Sequence, residues 1–283
     1  MDIPFHKMQG AGNDFIVINN QELKFSGEEL SRLAKQICQR KRSVGSDALM
    51  ALDTPQAEGD FRMRFYNADG TEAEMCGNGA RCIARYAYEQ GIADESMTIE
   101  TVAGDVKAWR LDKRRYKVQL NAPTYTKFDW DFADDPENVV KKVDYVELGD
   151  PAIPHLVVHY PGLADKPLTE LQELAKKLRF WDKLPKGANV NFYDEMANGE
   201  LLVRTFERGV EDFTLACGTG SGSVAYSVTA KEKATKSPVI LQVLGGTLEV
   251  AVNDQELYLM GDTNIIVKGL VTDEDLPDLF PEV

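Results

Sequence analysis

A mixed α/β fold made of two like domains is the class this chain predicts, and three observations predict it. A short phrase opened by cysteine occurs twice, as Cys76-Gly77-Asn78-Gly79-Ala80-Arg81 and as Cys217-Gly218-Thr219-Gly220-Ser221-Gly222. The same order of elements surrounds each copy: strand, polar turn, cysteine, helix, then strands joined by tight turns. The length of 283 residues exceeds the usual size of one domain, so two domains of ordinary size are expected. A repeat of about 140 residues is too long for a solenoid unit and reads as a duplicated domain.

Taken in order, Ser26-Gly27-Glu28-Glu29 is a capping-box pattern opening a helix over Leu30 to Gln39. A strand and turn over Arg64 to Glu72 lead to Cys76, and the small residues after it run into Ile83-Ala84-Arg85-Tyr86-Ala87, a helical stretch. Met97 to Leu111, broken by a turn at Gly104, and Tyr116 to Leu120 alternate with period two and predict strands. The boundary is placed near Asn121-Ala122-Pro123, giving domains over 1–121 and 122–263, with an acidic, aromatic loop over Phe128 to Asp135. In the second half Thr169-Glu170-Leu171-Gln172 repeats the capping pattern ahead of Leu174 to Leu178, and Arg204 to Glu211 corresponds to Arg64 to Glu72. Val224 to Val228 is the second helix. Val239 to Val252 and Glu256 to Met260 are the second set of strands, turning at Gly245-Gly246 and Asn253-Asp254-Gln255. A last strand beginning Asn264-Ile265-Ile266-Val267, within 264–283, is expected to return to the first domain.

Hydrophobic content of 43% with 28% charged residues is ordinary for a soluble globular protein, and no run approaches the roughly 20 apolar residues of a membrane helix. The N-terminus lacks a basic region followed by an apolar stretch, so a cytoplasmic enzyme is the simplest class. A formal charge of −14 argues against nucleic-acid or anionic-membrane partners, which need a basic face. The four cysteines, Cys38, Cys76, Cys82 and Cys217, are too few and scattered for a disulfide scaffold, and three histidines give no zinc-type spacing, so no metal is expected. Cys38 and Cys82 read as small buried residues.

Cys76 and Cys217 would each stand at a helix N-terminus. Unpaired N–H groups and the positive end of the helix dipole favour negative charge there, which lowers a thiol's pKa and makes a seat for a carboxylate. Inverting an amino acid's α-carbon needs a base on one face and an acid on the other. Two thiols, related by a pseudo-two-fold axis and facing one carbon, would meet that need, with the helix N–H groups stabilising the enediolate-like charge. No cofactor is required by this scheme, and none is encoded: Gly218-Thr219-Gly220-Ser221-Gly222 departs from GxGxxG and no GxxxxGK[ST] loop occurs.

Lys7-Met8-Gln9-Gly10-Ala11-Gly12-Asn13-Asp14-Phe15, Phe65 to Glu72 leading to Met75-Cys76-Gly77-Asn78-Gly79-Ala80-Arg81-Cys82, Gly187-Ala188-Asn189-Val190-Asn191-Phe192, Phe206-Glu207-Arg208-Gly209 and Ala216-Cys217-Gly218-Thr219-Gly220 together resemble diaminopimelate epimerase. The motifs span nearly the whole chain in the family's order. The resemblance implies two similar domains, each a curved, mostly antiparallel sheet or barrel wrapped around a central helix. It also implies cofactor-independent interconversion of LL- and meso-2,6-diaminopimelate, for lysine and cell-wall precursors, by a homodimer. On that reading Cys76 and Cys217 are base and acid, and Gly77-Asn78 with Gly218-Thr219 give N–H groups to the reacting carboxylate. Glu207 would neutralise the α-ammonium, and Asn13, Asn67, Asn189 and Arg208 would fix the substrate. Where the family commonly has Gly-Asn-Pro-His, the chain reads Gly149-Asp150-Pro151-Ala152-Ile153-Pro154-His155, so the family's substrate-binding Asn is Asp150 here or is displaced by an insertion. Val44-Gly45-Ser46-Asp47-Ala48-Leu49 carries Ala48 where some members place a polar side chain, and no site role is assigned there. Alternative readings are another two-thiol racemase such as a proline racemase, whose usual histidine after the first Cys-Gly is Asn78 here, and a thiol redox protein.

Overall fold

A computed structural model describes residues 2–135, 137, 139–231, 237–272, 274 and 276. The chain divides into two compact units, one formed by the residues up to Val118 and those from Gly261 on, the other by Gln119–Met260.

In the first unit β1 (Ile3–Gly10) and β2 (Asn13–Asn19) form a hairpin, followed by the short α1 (Asn20–Leu23) and by α2 (Gly27–Ile37). The crossover through α2 returns β3 (Ala48–Asp53) parallel to β2, and β4 (Phe61–Asn67) runs antiparallel to β3. After the short β5 (Glu72–Ala73), α3 (Gly77–Glu89) connects to β6 (Ser96–Thr101), parallel to β4. The antiparallel β7 (Gly104–Arg110) and β8 (Arg115–Leu120) close the series.

The second unit repeats this plan. After β9 (Pro123–Asp131) come β10 (Lys142–Leu148) and β11 (Ile153–His159), then α4 (Leu168–Arg179) and β12 (Asn189–Glu195), parallel to β11. Next are β13 (Leu201–Glu207), β14 (Asp212–Thr214), α5 (Gly218–Ala230) and β15 (Val239–Val243), parallel to β13. The antiparallel β16 (Gly246–Asn253) and β17 (Glu256–Asp262) follow. The last strand, β18 (Asn264–Val271), pairs with β1 in the first unit, as β9 pairs with β10 in the second.

Each unit buries two layers. Period-two alternation turns Ile16, Ile18, Leu49 and Ala51 toward α2, where they meet Leu30, Leu33, Ala34 and Ile37. In the second unit Leu156, Val158, Val190 and Phe192 meet Leu171, Leu174, Ala175 and Leu178 of α4. The other sheet face encloses the central helix. Every residue of α3 from Gly77 to Ala87 is buried, and the helix touches β1, β2, β3, β6 and β7. Helix α5 is surrounded by β10, β11, β12 and β16. The fold class is therefore the one expected: duplicated mixed α/β units, each a mostly antiparallel sheet around a helix.

Ser26 caps α2 as its sequence pattern requires: its hydroxyl accepts from Glu29 N at 3.3 Å, and the Glu29 carboxylate accepts from Ser26 N at 2.7 Å. Ser26→Ala is expected to lower the stability of the first unit by about 1 kcal/mol, read as the shift of its urea midpoint.

Two local readings are corrected. The Thr169 capping pattern is not used: α4 starts earlier, at Leu168 behind Pro167, so Thr169 is already helical. Proline's fixed φ suits the position just before a helix, and it lacks only an N–H that no helical carbonyl would accept. The stretch Phe128 to Asp131 is not loop but the end of β9, with Trp130 opposite Val143. Its aromatics supply the reason: the Trp130 and Trp181 rings lie 4.7 Å apart, and Phe132 lies edge-on to Trp181 at 5.4 Å.

Candidate active site

Both central helices begin in the same way. Cys76 (φ −136°, ψ 118°) and Cys217 (φ −120°, ψ 116°) are extended residues at the N-caps of α3 and α5. Their carbonyls accept the first helical bonds, from Ala80 N at 2.8 Å and Ser221 N at 2.9 Å. The N–H groups of Gly77 and Asn78, and of Gly218 and Thr219, thus lie ahead of any carbonyl of their own helix. Cys217 Sγ accepts from Gly220 N at 3.4 Å and lies 3.5 Å from Thr219 Oγ1. The other two thiols are buried and inert; burial pushes Cys38 up to about 11 and Cys82 up to about 12.

In the first unit, Phe15, Ala48 and Asn67 stand opposite one another on β2, β3 and β4. Asn13, at the start of β2, reaches the first turn of α3, where its Oδ1 accepts from Asn78 Nδ2 at 3.4 Å. Asn13 Nδ2 donates to Asp47 Oδ2 at 2.6 Å. Asp47 is held in turn by Arg40 Nη2 at 2.6 Å, and Arg40 also grips Asp14 through two bonds of 3.0 and 2.6 Å. With Lys7 Nζ 3.2 Å away as well, Asp14 is kept below the usual carboxylate range despite its partial burial. Asn67 stands apart from this relay: exposed at the end of β4, it donates to Thr71 Oγ1 at 3.0 Å.

In the second unit, His155 stands opposite Asn189, and Val190 opposite Phe206, which brings Asn189 and Glu207 to the same end of β12 and β13. Asn189 Oδ1 accepts from Arg208 N at 2.8 Å, and Arg208 Nη1 reaches Lys186 O at 3.4 Å. Burial raises the Glu207 pKa above the ordinary glutamate value, as expected of a carboxylate kept from water.

The shared register shows how the duplicated plan has diverged. The floor under α3 is apolar, Phe15, Met50 and Phe65, with the two rings 6.0 Å apart. The equivalent floor under α5 is His155, Asn191 and Thr205. Asn191 Oδ1 accepts from Thr205 Oγ1 at 2.9 Å, and its Nδ2 donates to Leu156 O at 3.0 Å and lies 3.3 Å from His155 Nδ1. His155 is fully buried, and desolvation, with Arg208 adding to it, drives its pKa down to about 3, so it is a neutral part of the floor and not an acid–base group.

These floors set what each first turn tolerates. A Cβ on Gly79 would lie 2.9 Å from Met50 Sδ, the yielding end of a flexible side chain, whereas one on Gly220 would collide with Oδ1 of Asn191, a side-chain amide held at both its oxygen and its nitrogen. Gly220→Ala is expected to lower kcat/KM about 100-fold and Gly79→Ala about tenfold or less, since small displacements of positioned groups cost rates of this order. Steady-state kinetics on the two variants checks the ranking.

The sequence matches the family described as Diaminopimelate epimerase over residues 5–126 and 150–266. The chain belongs to the diaminopimelate epimerase family. It is 35% identical over 288 aligned residues to the diaminopimelate epimerase of Aquifex aeolicus, covering 96% of this chain and 99% of that one. It is 33% identical to that of Archaeoglobus fulgidus, covering 96% of this chain and 97% of the relative. Among solved structures it is similar to a Bacillus anthracis phenazine biosynthesis protein of the PhzF family, with a TM-score of 0.72, 17% identity, and coverage of 96% and 99%. It is also similar to a probable proline racemase from Agrobacterium radiobacter, with a TM-score of 0.69, 16% identity, and coverage of 98% and 95%. At such identities these likenesses speak to the fold alone. No helix among the described residues is long and apolar enough to cross a membrane.

Sequence reading overlooked Asp47, Arg81 and the floor of Asn191 and Thr205. A signal for the floor was present: in Asn189-Val190-Asn191-Phe192, period two puts both asparagines on one face of a strand whose other face is apolar. Nothing local marked Asp47, which lies in the stretch Val44 to Leu49 where the sequence assigns no site role.

Proposed function

We propose that this chain interconverts LL- and meso-2,6-diaminopimelate without a cofactor, Cys76 and Cys217 exchanging the roles of base and acid at one α-carbon. The observation that carries the reading is a cysteine at the N-cap of the buried central helix in both halves of a chain that matches this family almost from end to end. A thiolate takes the α-proton, the electron pair passes into the carboxylate, and the other thiol delivers a proton to the opposite face. The α-proton is far less acidic than a thiol, so the enediolate-like charge needs stabilising. The N–H groups of Gly77, Asn78, Gly218 and Thr219 serve that purpose, because helix N-termini favour negative charge. Glu207, a desolvated carboxylate, takes the α-ammonium. Asn13, Asn67, Asn189 and Arg208 hold the remainder of the substrate, Arg208 as the cation for a carboxylate. Supply of lysine and cell-wall precursors, a homodimeric state and a cytoplasmic location belong to the same reading and rest on the family resemblance; sedimentation equilibrium tests the dimer.

Proton NMR of LL-diaminopimelate with the reduced protein in D2O is the test. Loss of the α-proton signal with appearance of the meso isomer is expected. Folded, reduced protein that leaves this substrate unchanged, yet racemises proline or another amino acid, would overturn the substrate assignment.

A further inference from the structure

Arg81, in the second turn of α3, is wholly buried, and no carboxylate among the described residues pairs with it. Its Nη2 donates to Asn78 Oδ1 at 3.0 Å, while Nε and Nη1 meet no acceptor among the described residues. A guanidinium only donates, so Asn78 must turn its oxygen inward to Arg81 and its NH2 outward. That NH2 meets Asn13 Oδ1 at 3.4 Å, which leaves Asn13 its own NH2 to give to Asp47 Oδ2 at 2.6 Å. A carboxylate only accepts. The relay thus begins at a group that cannot accept and ends at one that cannot donate, and neither amide can flip without setting oxygen against oxygen or NH2 against guanidinium.

We propose that Arg81 is a positioning residue that fixes the polarity of the Cys76 side of the site: it locks Asn78 and Asn13 with their amide N–H groups directed away from the guanidinium and holds a buried positive charge behind the first turn of α3. Both effects favour an anion at that turn, whether the Cys76 thiolate or a substrate carboxylate. The sulfurs of Cys82 and Cys76, and at longer range the Asp262 carboxylate, which makes no ion pair with it, oppose the desolvation that lowers the guanidinium's own pKa. The second unit has no counterpart, since Gly222 occupies the equivalent place after Cys217. The two thiols, alike in backbone geometry, are therefore made electrostatically unequal. The link to substrate rests on the epimerase reading; the effect on the thiol does not.

Two variants test this in a Cys217→Ala background, where Cys76 is the one thiol not buried: Arg81→Met, which removes charge and donors, and Arg81→Lys, which keeps the charge. The pH dependence of iodoacetamide alkylation of Cys76 is measured without substrate. The midpoint should rise by about one pH unit in Arg81→Met and by much less in Arg81→Lys. With both cysteines present, kcat/KM should fall about 100-fold in Arg81→Met, with partial recovery in Arg81→Lys. The melting temperature of Arg81→Met should not fall, because an apolar group removes the desolvation cost of a buried charge that has no ion-pair partner among the described residues. An unchanged alkylation midpoint in folded Arg81→Met would overturn the proposal and make Arg81 a packing residue. Should Arg81→Met fail to fold, a midpoint more than one unit higher in Arg81→Lys would overturn it equally. A shifted midpoint in a protein that turns over no diaminopimelate would sustain Arg81 while refuting the substrate assignment.

Discussion

Cys76→Ala and Cys217→Ala are each expected to lower epimerisation about 10⁴-fold in both directions, the upper range for loss of a general acid or base. On the proposed mechanism each thiol is base in one direction and acid in the other, so by microscopic reversibility neither variant retains a working direction. A thiol left alone can still remove a proton and return one on the same face. In D2O one variant should therefore exchange the α-proton of LL-diaminopimelate slowly without forming the meso isomer, and the other should do so only from the reacting centre of the meso isomer. Which variant behaves in which way assigns each cysteine to a face. Stability should change little, by about 1 kcal/mol, since one small group is removed at the end of a helix that remains packed along its length. Cys38→Ala, a change at a buried thiol bonded to Ser46, is the control that keeps activity. If a single-cysteine variant epimerised at more than about a hundredth of the normal rate, two-thiol acid–base chemistry would be refuted.

The sequence displays the duplicated plan because its strongest signals are local. Period-two strands such as Met97 to Leu111, and glycine-rich helix starts after Cys76 and Cys217, need no knowledge of what packs on them. What escaped notice depends on tertiary contact. Trp130 lies in an acidic stretch with a loop's composition, and it becomes part of a strand through distant partners, β10 pairing alongside it and the rings of Tyr145 and of Trp181, brought in after α4, packing on it. Thr169 and Glu170 carry a capping pattern, but Pro167 and the apolar face of α4 fix the start two residues earlier. The same division holds at the site. Cys76 and Cys217 announce themselves through their shared context, whereas Asp47 acquires its role only because β2 and β3 run side by side and set it against Asn13. Arg81 was in plain view inside the first cysteine phrase. Its importance lies in having no carboxylate paired with it among the described residues, which no spacing of residues encodes.

Glu207→Gln is expected to lower kcat/KM about 100-fold, the cost of losing a charge-assisted hydrogen bond to an ammonium, while making the protein more stable at neutral pH. The opposite signs come from one cause. Burial raises the Glu207 pKa in the folded protein above its value in the unfolded chain. Between those two values the folded state binds more protons than the unfolded one, so stability falls as pH rises through the interval. Below the ordinary glutamate pKa the carboxyl is neutral in both states and the wild-type protein suffers no loss. Above the raised pKa the full cost of the desolvated charge is present. Glutamine, neutral throughout, avoids it. The melting temperature of Glu207→Gln minus that of the wild type should therefore be near zero in acid, grow as pH rises through the interval, and level off above it. Activity should show the complementary trend. The free enzyme needs the carboxylate ionised to receive an ammonium, so wild-type kcat/KM should fall on the acid side through the raised pKa, and Glu207→Gln should lack that limb. A melting-temperature difference that is flat with pH would show that Glu207 is solvated and make the ammonium-neutralising role untenable. A residue kept at a cost in stability and needed for turnover is what a binding site for a cation requires, because the carboxylate that a bound ammonium would stabilise is the one water has been kept from solvating.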